Sequence, residues 1–198
     1  MMQTLNNGAA LYQAVKWTLA GAQLMAQALQ RTTDYADNVT TLLNDARSKC
    51  ADNGADPELE EALSVLTTRA NHLIQGSGVA SDGAHRIEQV CQTVFRPLLV
   101  SPMTATTTPD FDELEHTIAR VNGDVEDMAE TLTALTEGLH EVYDHLTHGF
   151  AAQSPAVAPL EQAVEAVREL SALINATRDA MATATDGVYK AEESTASA

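Results

Sequence analysis

Six carboxylates and imidazoles in one short segment offer the clearest chemistry in the chain. They are Glu137, His140, Glu141, Asp144, His145 and His148. The pair Glu137-x-x-His140 recurs as Glu113-x-x-His116, and di-iron carboxylate bundles bind their metals with this spacing. His140, Asp144 and His148 also recur at every fourth residue, which would offer one stripe of a helix to zinc. A metal site in a helical protein is therefore the first hypothesis to test against the surrounding pattern.

The apolar residues around these groups form a heptad repeat. Their steps alternate between three and four for five heptads, at Phe111, Leu114, Ile118, Val121, Val125, Met128, Leu132, Leu135, Leu139, Val142 and Leu146. A period of 3.5 residues keeps one stripe of a helix against its partners along the whole length. Because the inward positions are all apolar, we expect the carboxylates and histidines to lie on a solvated face. We therefore expect no catalytic residues, no metal and no cofactor.

Three further helices should supply the partners of this one. We predict helix one over about 5–49 and a turn over 51–57, where Asn-Gly precedes the N-cap Asp56 and Pro57. Helix two follows from Pro57, and helix four carries a heptad stripe over 160–191. Helix two contains Gly76-Ser77-Gly78, for which the pattern leaves two alternatives open. We predict a continuous helix whose small residues permit close helix approach, and local fraying is the other possibility.

These elements predict an all-α fold, an elongated up-down-up-down four-helix bundle with coiled-coil packing. The chain should be one domain over 1–198, with hairpin one at 1–100, hairpin two at 109–191 and a polar tail at 192–198. Helices two and four open similarly, and matching Leu59 to Leu160 gives an offset of 101 residues. Two tandem helical hairpins would explain that offset.

Charge and targeting patterns exclude several partners. The chain has 28 acidic and 11 basic residues, so its net charge of −17 would repel a phosphate backbone. We therefore expect no nucleic acid or anionic membrane partner. Residues 1–30 carry one charge, Lys16, but glutamines interrupt their apolar run, which predicts neither a signal peptide nor a membrane span. Cys50 and Cys91 should stay unpaired, because a hairpin turn near 51–57 would hold them far apart.

Helix one carries a second apolar stripe away from its core positions. Trp17, Gly21 and Leu24 define it, with Ala20 and Ala28 alongside. Apolar residues on two faces of a nearly uncharged helix indicate either a helix buried on both sides or a docking surface for another protein. We take Trp17, Gly21 and Leu24 as candidate partner-binding residues and keep burial within the bundle as the alternative.

Two polar residues on the predicted seams, Ser77 and Thr177, suggest a different function. Such residues could mark a ligand cavity like those of bundle-type sensor domains. They could equally bond to the backbone of their own helix. A cell-associated sensor or adaptor that binds a small ligand or a protein is therefore the alternative function.

The segment from Arg178 to Glu193 resembles the C-terminal end of actinobacterial type VII secretion substrates. Those proteins are helical hairpins that pair into four-helix bundles and carry a Tyr-x-x-x-Asp/Glu export signal after the last core helix. Tyr189 and Glu193 match that signal, one helical turn apart. The family's Trp-x-Gly turn has no counterpart, since Trp17 lies within helix one and neither predicted hairpin turn, near 51–57 and 152–158, contains Trp. The direct resemblance covers about 20 residues.

The resemblance implies export without a cleaved signal peptide. We accordingly expect a non-enzymatic, secreted or cell-surface protein, with a cytoplasmic location as the alternative. It would act through protein–protein interaction, as a type VII-like substrate or partner. Its partners would be a secretion ATPase, a chaperone or further copies of itself.

Overall fold

The computed structural model describes residues 2–52, 57–95, 111–148 and 154–196, and it gives side-chain surroundings for all of these except 2–8, 94 and 95. Four long α-helices fill these ranges: α1 (Met2–Asp52), α2 (Pro57–Val90), α3 (Asp112–His148) and α4 (Val157–Ala196). One turn of π-helix, Cys91–Phe95, follows α2. Because these ranges contain no strand, the all-α prediction is confirmed.

The predicted heptad positions form the core. All eleven members of the α3 stripe are buried, from Phe111 at 7% exposure to Leu146 at 4%. The heptad stripe of α4 over 160–191 is buried too. The same holds for the heptad stripe of α2, whose members within the helix are Leu59, Leu63, Leu66, Ala70, Leu73, Ser77, Ala80, Ala84 and Ile87. Burial of a Leu or Val side chain contributes about 1.5–3 kcal/mol, so these stripes supply most of the driving force for folding. The coiled-coil pattern therefore predicted the buried faces of the helices correctly.

The helices divide into two compact units, each built from parts of all four. Unit one comprises Met1–Ala28, Val79–Asp124 and Ala176–Ala198; unit two comprises Leu29–Gly78 and Val125–Asn175.

In unit two, α1 and α2 run antiparallel and meet at two hydroxyls, of which that of Ser77 is buried and that of Thr33 half-buried. Thr33 and Ser77 share a hydrogen bond of 2.7 Å, and Ser77 also donates to the carbonyl of Ile74 on its own helix. Arg69 of α2 donates to the backbone carbonyl of Ala134 on α3 at 2.6 Å. At Gly138, one turn further along α3, an added Cβ would lie 2.8 Å from Leu66 and 3.2 Å from the guanidinium of Arg69. Glycine there leaves room for the arginine to reach the carbonyl.

In unit one, glycines mark the closest approaches between helices. At Gly83 of α2, an added Cβ would collide with Val121 of α3, and at Gly187 of α4 it would collide with Thr18 of α1. Arg86 of α2 is paired with Glu113 of α3 at 2.5 Å. From residue 83 to residue 86 the numbering on α2 rises, while the residues they contact on α3 fall from 121 to 113. The helices α2 and α3 are therefore antiparallel.

Several element boundaries differ from the sequence prediction. α2 continues without a break through Gly76-Ser77-Gly78, so the continuous alternative is confirmed. An added Cβ at Gly76 would lie 2.9 Å from Met128, whereas Gly78 has nothing within 4 Å, so only one of this pair serves close packing. α4 continues to Ala196, five residues into the segment predicted as a polar tail. α1 extends to Asp52, into the turn predicted at 51–57. Residues 53–56 of that turn lie outside the described residues, as do residues 96–110, which include the segment between the two predicted hairpins.

Candidate functional site

The predicted partner-binding stripe of α1 is divided by the fold. Trp17 and Leu24 are 43% and 54% exposed, whereas Gly21 between them is buried. An added Cβ at Gly21 would lie 2.6 Å from the carbonyl oxygen of Ala180 and 2.7 Å from the amide nitrogen of Ala184 on α4. Gly21 therefore contacts α4, and Trp17 and Leu24 are the two members that face outward.

The exposed tryptophan is in contact with the C-terminal part of α4. The ammonium of Lys190 lies 4.3 Å from the centroid of the Trp17 ring, within cation–π range. The same ammonium pairs with Asp186, one turn earlier on α4, at 3.1 Å. Trp17 is thus held in place on one side while its remaining surface stays exposed.

The predicted export residues lie on the outer side of the same stretch of α4. Tyr189 is 61% exposed, although Val188 and Ala191 on either side of it are buried. Glu193 is exposed as well, four residues later. Residues at i and i+4 of a helix lie about 6 Å apart on one face. Tyr189 and Glu193 therefore present a phenol and a carboxylate together on an ordered helix.

The fold brings the two predicted sites into one unit. Lys190, which contacts Trp17, directly follows Tyr189, and successive helix residues differ by about 100° around the axis. The two sites therefore occupy neighbouring faces of one α1–α4 pair. The sequence did not predict this relation, because Lys190 lies outside the heptad positions of α4 and nothing near it in the sequence indicates a contact with α1.

A second feature of this unit is a group of carboxylates where α4 passes α3. Partial burial, the charge of Glu115, a hydrogen bond with Glu115 and the charge of Asp112 together raise the pKa of Glu192. Two carboxylates can share a hydrogen bond only when one of them carries a proton. We therefore expect the contact between α3 and α4 here to depend on pH.

The outward face of α1 in unit one differs in charge from the rest of the molecule. Residues 1–30 contain no Asp or Glu and one basic residue, Lys16, so the remaining 168 residues hold all 28 acids. The exposed side chains around Trp17 and Leu24 include uncharged Gln13, Gln23 and Gln27. We call the surface formed by Gln13, Trp17, Ala20, Leu24 and Gln27 the uncharged face.

The metal candidates of α3 lie outside the core. Glu137, His140, Glu141, Asp144, His145 and His148 are all exposed. The Nδ1 atoms of His140 and His148 lie 2.7 and 3.1 Å from backbone carbonyls of their own helix. Across the part of the chain that the structure describes, no three His, Cys, Asp or Glu side chains are grouped to hold a metal ion.

The predicted seam hydroxyls and the two cysteines are also buried. Ser77 is satisfied by Thr33 and by the Ile74 carbonyl, and Thr177 is buried. Cys50 and Cys91 are free and buried. Burial, and next the charge of Glu88, raises the pKa of Cys91 to about 12; burial, and next Glu60, raises that of Cys50. Both thiols are therefore protonated at neutral pH and are poor nucleophiles.

Comparison with known proteins adds no family. No protein-family model matches the sequence, and no curated protein is similar to it. None of the helices, over the residues described, combines the length and hydropathy needed to cross a bilayer. The fold and the exposed surfaces thus define the class as an all-α four-helix bundle.

Proposed function

We propose that this chain is a non-enzymatic, secreted helical-bundle protein, a type VII-like secretion substrate or partner that acts through protein–protein interaction. The observation that carries the proposal is the pairing of Tyr189 and Glu193. The phenol is 61% exposed on an otherwise well-packed helix, and an exposed carboxylate follows one turn later. This is the arrangement expected of a C-terminal export signal of that family.

A helical signal of this kind suits recognition by a receptor. Tyrosine combines a large apolar ring with a polar hydroxyl and loses little conformational entropy on binding, and the carboxylate adds a charge that a basic pocket can select. Because the segment is already helical up to Ala196, little ordering cost would be paid on binding.

The uncharged face provides the interaction surface of the exported protein. Trp17 and Leu24 project from it seven residues apart, which is two helical turns, and large exposed apolar groups of this kind are typical binding anchors. Lys190 holds Trp17 in place from α4, so the anchor is preorganised.

Replacing the two signal residues tests the proposal. In a bacterial host with a type VII machine, Tyr189→Ala and Glu193→Ala should each reduce the protein in the culture medium at least about tenfold, because each removes a recognition contact worth roughly 1.4 kcal/mol or more. Cellular levels and thermal unfolding should stay close to those of the wild type, since both side chains are exposed.

Matched controls separate the signal from general surface effects. Tyr12→Ala removes a tyrosine that is 52% exposed on α1, and Glu169→Ala removes an exposed acid from α4 itself. Neither should alter export. Undiminished export of the Tyr189→Ala and Glu193→Ala variants would contradict the proposal.

A further inference from the structure

The occupant of the uncharged face can be inferred from the charge of the whole chain. Net charge is −17, yet none of the 28 acids lies in residues 1–30. Like charges on apposed surfaces disfavour association. Two copies of this protein would repel one another through their acidic surfaces, and the uncharged face is a surface that both can present without that repulsion.

The chemistry of the face also suits self-association better than binding of a charged partner. Its five residues are apolar or carry amides. The charges beside it are of both signs, namely the Lys190–Asp186 pair at Trp17 and Glu88, which accepts a hydrogen bond from Gln23, so the face has little with which to attract a strongly basic or acidic protein. Two-fold interfaces join the same patch on both subunits, which requires a self-complementary surface. Uncharged, mixed apolar and amide groups meet that requirement.

The spacing of the residues gives the geometry. In an antiparallel pair of α1 helices, a two-fold axis beside Ala20 places Trp17 of each copy against Leu24 of the other. Ala20 itself is small and half-buried, which permits close approach on the axis. We propose that the chain forms a symmetric dimer through the uncharged face, with Ala20 at the axis and two Trp17–Leu24 contacts beside it. This inference rests on the proposed use of that face for docking and names its partner as a second copy.

The dimer should have a distinctive salt dependence. One helix pair makes an interface at the small end of the usual range, so a Kd of roughly 1–100 µM is expected. Salt should tighten the dimer, because at 0.5 M it screens repulsion between the two acidic bodies and leaves the apolar contacts intact. An interface held by ion pairs would weaken instead.

Sedimentation equilibrium of the purified full chain tests the inference. In 0.5 M NaCl the wild type should show a dimer fraction that rises through about 10–200 µM protein, and Leu24→Glu should raise the Kd at least about tenfold. Val79→Glu is the matched control, since Val79 is 56% exposed on α2 of the same unit and the change adds the same charge. This control should stay as dimeric as the wild type.

A cross-linking variant keeps the test independent of any folding defect in Leu24→Glu. Ala20→Cys should form an intermolecular disulfide under mild oxidation, because facing Cα atoms on the axis of a close helix pair lie within the reach of a disulfide. Val79→Cys should cross-link at least about tenfold more slowly. Cys50 and Cys91 are buried and should not contribute.

The inference is overturned if the wild type is monomeric across this range, or if Leu24→Glu dimerises like the wild type. Equal cross-linking of the Ala20→Cys and Val79→Cys variants would overturn it as well. Because these measurements use purified protein, they do not depend on export. A monomeric wild type whose export still requires Tyr189 would remove the dimer and leave the proposed function standing.

Discussion

At the scale of single residues, the contact between Lys190 and Trp17 links α1 to α4 in unit one. An ammonium over an indole is worth about 0.5–1 kcal/mol at an exposed site. A surface ion pair such as that of Lys190 with Asp186 contributes less than about 1 kcal/mol. Of these two interactions, the cation–π contact is the one that acts on Trp17 directly.

Replacing Lys190 measures this contact against a matched lysine. Lys49 is similarly exposed and forms the same kind of i,i+4 pair, with Asp45 at 2.8 Å. Lys190→Gln should lower the free energy of unfolding by about 0.5–1 kcal/mol more than Lys49→Gln in urea titrations. Of the two variants, only Lys190→Gln should change the fluorescence of Trp17, the single tryptophan. Equal losses of stability in the two variants would show that the ring contributes nothing.

Glu192 gives a second residue-scale prediction, in pH dependence. The pKa of Glu192 is raised in the folded state, so the folded protein binds its proton more tightly than the unfolded chain does. Stability should therefore fall as pH rises from the ordinary value of 4.5 through the raised folded pKa. Glu192→Gln removes the repulsion from Glu115 and Asp112, so it should stabilise the protein at pH 7 and lose that advantage below pH 4.5.

Urea unfolding of the wild type and of Glu192→Gln at pH 4 and at pH 7 checks this prediction. Glu169→Gln is the control, because it neutralises an exposed acid elsewhere on α4. A gain in stability from Glu192→Gln that is the same at pH 4 and pH 7 would contradict the role given to the carboxylate pair.

At the scale of the elements, glycines decide how closely α1 and α4 approach. Backbone atoms of α4 lie where a Cβ of Gly21 would be, and backbone atoms of α1 lie where a Cβ of Gly187 would be. A flexible side chain could move aside, but a helix backbone cannot do so without separating the pair. Gly78 of α2 lacks any such neighbour.

Two glycine substitutions should therefore change the free energy of unfolding in opposite directions. Gly21→Ala should lower the free energy of unfolding by about 1–3 kcal/mol, since it forces α1 and α4 apart. Gly78→Ala should raise it by about 0.5–1 kcal/mol, because alanine favours the helix and meets no obstacle. Denaturant unfolding measures both changes. Equal effects of the two substitutions would refute the close approach at Gly21.

How much of this could be predicted from sequence depends on the range of the interactions involved. The buried faces of α2, α3 and α4 follow from local periodicity, and the eleven-residue stripe of α3 predicted burial without a miss. The exposure of Trp17, Gly21 and Leu24 was harder to predict, because whether Gly21 faces solvent depends on where α4 lies. The cation–π contact joins residues 173 positions apart, which helix periodicity cannot foresee.

The ends of the helices were also predicted less accurately than their buried faces. The heptads of α4 end at Ala191, yet the helix continues through polar residues to Ala196. In this last turn Ser194 donates to the carbonyl of Lys190 and Thr195 to that of Glu192, so side-chain hydrogen bonds accompany the extension. Local polar contacts of this kind leave no apolar periodicity in the sequence, so the heptad pattern could not predict this extension.

At the scale of the whole molecule, the acids are unevenly distributed along the chain. The acids lie beyond residue 30, and the exposed residues Trp17 and Leu24 lie before it, where Lys16 is the one charged side chain. A net charge of −17 opposes non-specific association of the protein with itself or with nucleic acid. We therefore expect specific contact at the uncharged face, while Tyr189 and Glu193 occupy a neighbouring face of α4.

The most direct test of the central claim is where the protein is found when the secretion machine is removed. The wild-type chain should accumulate in the culture medium of a bacterial host with a type VII system. It should remain inside cells from which the ATPase of that system has been deleted, with a cytoplasmic marker to exclude lysis. Equal amounts in the medium of both strains, or retention in cells of both, would contradict the account.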